Sequence, residues 1–131
     1  MIEQRILQYK PDSFCHNDLH YRNLVKSDSG IKIIDFDHAN YGYRAYDIAY
    51  WLTHAGHKRI EDFINRRNDQ MNQLIHGYID LTREDTFDSL YTEICDFLPY
   101  TILDHFMVKK PNDTTLWKNN FRNSLKCHLP K

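Results

Sequence analysis

HNDLHYRN, residues 16–23, sets His16, Asp18, His20 and Asn23 within eight positions, and IIDFDHAN, residues 33–40, ends an apolar run with Asp35 and Asp37. Between them NLVK (23–26) and IKIID (31–35) are β-rich, and SDSG (27–30) is a turn signal, which together predict a hairpin with a four-residue connection. Polar chemistry therefore clusters on a loop and at a strand end, where the hydrogen-bonded ladder fixes the backbone. Asp18 is a carboxylate able to accept a proton or orient a hydroxyl. Asn23 offers a neutral carbonyl oxygen and Asp35 a carboxylate, the oxygen donors that a hard cation such as Mg²⁺ takes alongside water and phosphate.

Outward from this hairpin the periodicity becomes helical. Residues 2–9 place Ile2, Ile6 and Leu7 on one face of a short helix. Ile48, Trp51, Leu52 and Ala55 fall at i, i+3, i+4, i+7, with Gly56 as a stop. A stripe through Ile60, Phe63, Ile64, Met71, Leu74, Ile75 and Tyr78 predicts one helix over about 59–81. Thr82 is placed to cap the next helix, through Phe87, Leu90, Tyr91, Ile94 and Leu98, and Pro99 is expected to kink or break it. KKPND (109–113) marks a boundary before a last helix in TLWKNNFRNSLK (115–126). The fold class is α+β and mostly helical, a single domain over 1–131: 1–44 carries the catalytic loop and metal-binding hairpin, and 45–131 is a helical subdomain.

Composition narrows the functions. A chain of 131 residues with 41% hydrophobic residues can bury a real core. The formal charge of −1, without a basic block, gives no electrostatic reason to expect nucleic acid or an anionic membrane surface as partner. Cys15, Cys95 and Cys127 are odd in number and far apart, as in a cytoplasmic protein with reduced thiols. The start, MIEQRILQYK, lacks the apolar run of a signal peptide.

The order H-x-D-L-x-x-x-N, hairpin, strand ending in D-F, with seventeen residues from Asp18 to Asp35, resembles the catalytic segment of kinases. Residues 14–51, FCHNDLHYRNLVKSDSGIKIIDFDHANYGYRAYDIAYW, resemble more specifically the aminoglycoside phosphotransferase and choline kinase family, with its H-x-D-L-H-x-x-N, I-D-F-D and Y-D-hydrophobic-A motifs in order. The resemblance implies the C-terminal catalytic lobe of a protein-kinase-like fold, transferring the γ-phosphate of ATP, with Mg²⁺, to a hydroxyl of a small polar substrate such as an aminoglycoside, choline-like amino alcohol or sugar. It implies that Asp18 is the catalytic base and that Asn23 and Asp35 bind metal. It implies that His20 stabilises charge near the transferred phosphoryl group, that His16 and Asp47 brace the loop, and that Asp37 supports the site.

Each residue also has an ordinary explanation. Asp47 alone is a carboxylate in a helix's first turn, and Asp18 and Asn23 alone are turn residues. His16 and His20 at i, i+4 suggest zinc only superficially, because no H-E-x-x-H glutamate accompanies them. His54 and His57 read as solvated or capping groups, and Tyr91, Phe97, Tyr100 and Phe106 as core. Trp51, Asp96, Tyr100 and Asp104 are candidates to hold a cationic acceptor.

The glycines form no cluster, and few residues precede His16, so the nucleotide-binding N-terminal lobe is expected to be absent. Two expectations follow: negligible activity of these residues alone, and self-association through the uncovered face or pairing with a missing lobe. A non-catalytic remnant acting as a binding module is the alternative. A haloacid-dehalogenase-like phosphatase using Asp35 and Asp37 is a lesser one, since Ala39 and the lack of a later lysine motif do not fit it.

Overall fold

The computed structural model describes residues 2–82, 86–109 and 114–126. The order is α1 (Ile2–Ile6), β1 (Ser13–Cys15), a 3₁₀ turn (Tyr21–Asn23), β2 (Leu24–Ser27), β3 (Gly30–Ile33) and β4 (Asn40–Gly42). The helices α2 (Arg44–Ala55), α3 (His57–Ile64), α4 (Asp69–Thr82), α5 (Phe87–Lys109) and α6 (Thr114–Leu125) follow. The mostly helical α+β architecture expected from the periodicity is what the chain adopts.

The hairpin forms with Leu24 opposite Ile33 and Ser27 opposite Gly30. Its loop is thus the two residues Asp28 and Ser29 rather than four, because Gly30, at φ 116°, continues the ladder in a conformation that side chains resist. A second ladder went unpredicted: β1 pairs antiparallel with β4, Phe14 opposite Tyr41. Strands of three residues carry too little alternation to be read, and only their meeting defines them.

The core lies on α5. Leu90, Tyr91, Ile94, Cys95, Phe97, Leu98 and Ile102 are buried along it and join Ala45, Ile48, Ala49 and Leu52 of α2, Ile60 and Phe63 of α3, and Met71 and Ile75 of α4. Pro99 neither ends nor divides α5, which runs through it. Proline removes one backbone donor, but buried residues on both sides hold the helix in one core, and the Thr101 hydroxyl donates to the Leu98 carbonyl at 3.0 Å beside the lesion. Cys15 and Cys95 are buried.

The helix expected over 59–81 is two. Arg66 adopts φ 56°, and Asn68 caps α4 by accepting from the Met71 amide at 3.1 Å. The apolar stripe continues across the break since Ile60 and Phe63 of α3 and Met71 and Ile75 of α4 enter one core cluster, although Leu74 is exposed. Thr82 is the last residue of α4 and does not cap α5. Thr86 does, in a reciprocal box: its hydroxyl accepts from the Ser89 amide at 3.2 Å, and the Ser89 hydroxyl accepts from the Thr86 amide at 3.2 Å. Leu7, placed with Ile6 on one face, is 79% exposed because α1 ends at Ile6. Residues 110–113 of the KKPND boundary, and the side chains of Ile2, His57 and Phe106, lie outside the described residues.

Candidate active site

The loop that carries Asp18 is tied to the start of α2. Asp47, in that helix's first turn, accepts from the His16 amide at 2.7 Å through Oδ2 and from the Asn17 amide at 2.8 Å through Oδ1. One carboxylate thereby satisfies two consecutive loop donors and turns the chain through Asn17, whose φ of 63° is left-handed. Burial pushes the Asp47 carboxyl above the usual range, only partly offset by the two amides that favour its charged form.

His16 joins the same loop to the hairpin. Its Nδ1 accepts from the Asp18 amide at 3.2 Å, so the proton sits on Nε2, which donates to the Ile34 carbonyl at 2.8 Å. Asn23 is joined to that segment as well, its carbonyl accepting from the Ile34 amide at 2.9 Å.

Asp18 is held from two sides. Its Oδ1 accepts from the Tyr50 hydroxyl at 2.9 Å. Asn23 Nδ2 donates to the Asp18 carbonyl at 2.8 Å and lies 3.3 Å from Asp18 Oδ2. These donations orient the Asn23 amide and leave its Oδ1 as the end able to meet a cation. His20 Nε2 is 3.5 Å from Asp18 Oδ2. Its Nδ1 accepts from the Arg22 amide at 3.2 Å, capping the 3₁₀ turn, which assigns the proton to Nε2. The approach of Asn23 Nδ2 to that nitrogen at 3.5 Å is then two donors in contact rather than a hydrogen bond. Desolvation, followed by the charge and hydrogen bond of Asp18, pushes the Tyr50 phenol well above its ordinary value, so it remains a donor at neutral pH.

Asp35 follows Ile34 directly, is exposed and has φ 62°. A left-handed aspartate just past the strand reorients the chain immediately beside Asn23. Oxygen donors from Asn23 and Asp35 suit a hard cation that also takes water and phosphate oxygens. No group of three or more His, Cys, Asp or Glu among the described residues is arranged to hold a metal, a count Mg²⁺ does not require. Asp37 is exposed.

Two site residues carry no motif signal. Tyr50 and His54 follow Asp47 at i+3 and i+7 on α2, a polar stripe on the helix whose apolar stripe was legible. That spacing is the signal that would have found them. His54 is not a solvated group: its ring stacks on His20 at 5.1 Å, meets Tyr50 at 4.4 Å and His105 at 4.3 Å. Asp96 is occupied, accepting from Tyr9 and, at 3.5 Å, from Gln8. Asp104 accepts from the Tyr46 hydroxyl at 3.3 Å. Tyr100 is half exposed rather than core and, with Asn17, Tyr41, Tyr43, Tyr46 and Phe97, lines a cavity of about 400 Å³ beside the loop.

The family model of choline/ethanolamine kinase matches residues 7–107. The chain belongs to the choline/ethanolamine kinase family. It is 27% identical to probable choline kinase 3 of Arabidopsis thaliana over 115 residues, 80% of this chain and 33% of that protein. It is 30% identical to probable ethanolamine kinase A of Dictyostelium discoideum over 105 residues, 74% of this chain and 30% of that one. With ethanolamine kinase 2 of Homo sapiens the identity is 29% over 72 residues, 53% of this chain and 19% of the relative. The chain thus spans about a third or less of the relatives it matches. No solved structure matches it.

Proposed function

We propose that this chain is the catalytic lobe of an ATP-dependent, Mg²⁺-requiring kinase that phosphorylates the hydroxyl of a small amino alcohol of the choline or ethanolamine kind. The observation that carries this reading is Asp18, fixed between the Tyr50 hydroxyl and Asn23 on a loop pinned by Asp47, in a chain of that family. The Asp18 carboxylate takes the proton of the acceptor hydroxyl. The acceptor oxygen bonds to the γ-phosphorus as the bond to the departing ADP oxygen breaks. Asn23 Oδ1 and the Asp35 carboxylate would hold the cation, which would supply charge neutralisation for the donor phosphates. His20 Nε2–H, close to the same carboxylate, lends a donor to charge developing on the transferred group.

The aromatic cavity next to Asn17 suits a cationic headgroup, since ring faces attract ammonium ions. Names of the relatives favour an amino alcohol over an aminoglycoside or sugar. The exposed Ile31, Ile33 and Phe36 offer an apolar face to a nucleotide-binding lobe or to a second copy. Among the described residues no helix is long and apolar enough to cross a membrane, and the low, odd cysteine count supports a cytoplasmic setting.

The test is calorimetric titration of the chain with Mg²⁺ and ATP, together with a chimera in which residues 7–107 replace the matched segment of probable ethanolamine kinase A. Heat at millimolar nucleotide, and transfer by the chimera to ethanolamine or choline, support the kinase reading. Neither heat nor transfer would leave the binding-module alternative. By itself the chain is expected to turn over far below the roughly 1–100 per second of ordinary kinases, because this reading assigns half of the nucleotide's contacts to a second lobe.

A further inference from the structure

Three imidazoles line up against the candidate base, and no motif accounts for the middle one. His54, one turn beyond Tyr50 on α2, is fixed by its own helix: its Nδ1 lies 3.0 Å from the Tyr50 carbonyl. A carbonyl only accepts, so the proton sits on Nδ1. The ring so held stacks on His20, with centroids 5.1 Å apart and planes at 28°. It also packs on the Tyr50 ring at 4.4 Å. His105, on α5, backs it edge-on at 4.3 Å and 74°. Each ring that His54 touches on the loop side approaches a different oxygen of Asp18, Tyr50 at Oδ1 and His20 at Oδ2.

We propose that His54 is a positioning residue for Asp18, holding the His20 and Tyr50 rings at their angles to the carboxylate. The inference rests on Asp18 being the base of the proposed transfer. The need for such a brace follows from rotation about side-chain bonds: His20 lies on a loop, and the Arg22 amide at Nδ1 with Asp18 Oδ2 3.5 Å from Nε2 leaves the faces of the ring to be held by packing. The stacked ring of His54 supplies that packing, favouring one orientation of the imidazole. The requirement is for a flat ring at position 54, not for its nitrogens.

The experiment is long-range ¹H–¹⁵N NMR of the histidine rings of this chain, comparing the wild type with His54→Phe and His54→Ala. In the wild type and in His54→Phe, His20 is expected to show the Nε2–H tautomer. In His54→Ala its ring nitrogens are expected to move toward the averaged shifts of a mixed population, while His16, held by the Ile34 carbonyl, keeps its own pattern. The unchanged His16 signals and the rescue by Phe separate lost positioning from lost folding. An unaltered His20 in His54→Ala overturns the proposal, and so does a His54→Phe protein that behaves like His54→Ala. Failure of the chain to bind Mg²⁺ and ATP would instead strike the kinase reading, and the NMR comparison would still decide whether His54 orders these rings.

Discussion

Tyr50 donates its hydroxyl to Asp18 Oδ1 at 2.9 Å, joining α2 to the loop at the one carboxylate proposed to move a proton. Asp18→Asn in the ethanolamine kinase chimera is expected to lower kcat by about 10²–10⁴, the usual worth of a general base. Tyr50→Phe keeps the ring and removes the donor, and about a tenfold loss is expected, equivalent to roughly 1.4 kcal/mol. Steady-state kinetics of both variants check this, and equal losses would contradict the division of roles.

Asn23 contributes through Oδ1, its Nδ2 being engaged by the Asp18 carbonyl. Asn23→Ala and Asp35→Asn are each expected to weaken binding of Mg²⁺ with ATP by about tenfold or more, in line with the loss of one ligand to a cation that takes few from protein. Calorimetry should find ATP binding without metal little altered in Asp35→Asn. Unchanged Mg²⁺ dependence in both variants would remove the proposed cation site.

Asp47 satisfies two loop amides at once. Asp47→Ala leaves both without their acceptor, and a loss of about 2–4 kcal/mol is expected from two unmet donors. Asp47→Asn keeps one acceptor oxygen and should lose less. The pH sign follows from burial: the folded carboxyl titrates above its unfolded value. The proton-linked part of its contribution is therefore fully present below the unfolded pKa of about 3.9 and is lost as pH rises through the folded value, while the two amide bonds remain. Urea melts across the acid range should show a flatter profile for Asp47→Asn than for the wild type.

Asp96 ties the segment following α1 to α5 by accepting from the Tyr9 hydroxyl, with Gln8 at 3.5 Å and Arg5 of α1 at 4.0 Å. Burial raises its carboxyl, and the Tyr9 bond partly opposes the rise. Tyr9→Phe is expected to cost about 1.5–3 kcal/mol at pH 7, the worth of a hydrogen bond to a charged group. The cost should shrink below about pH 3.9, where the acid is protonated in both folded and unfolded chains. Denaturant unfolding at both pH values measures the difference.

Much of the fold was legible because helical amphipathicity is local. Ile48 and Leu52 with Gly56, and the run from Phe87 to Leu98, were readable from spacing alone. The break at 65–68 was not, since α3 and α4 bury their stripes in the same core cluster and the apolar period passes through the interruption. Pro99 misled for the opposite reason: a local rule against proline was outweighed by burial on both flanks of α5. Leu7 was placed inside by period, but its helix ends one residue earlier.

The sequence by itself determined which groups are available for chemistry, Asp18, His20, Asn23 and Asp35, and that a hairpin holds two of them near each other, because those facts reside in residue type and short-range register. Tertiary structure alone decided what surrounds them. Tyr50 and His54 reach the loop only because Asp47 docks α2 onto the His16 and Asn17 amides, and His105 arrives from a helix half the chain away. Contacts of that range depend on how helices pack, and a one-dimensional pattern carries the faces of the helices but not the partners those faces will meet.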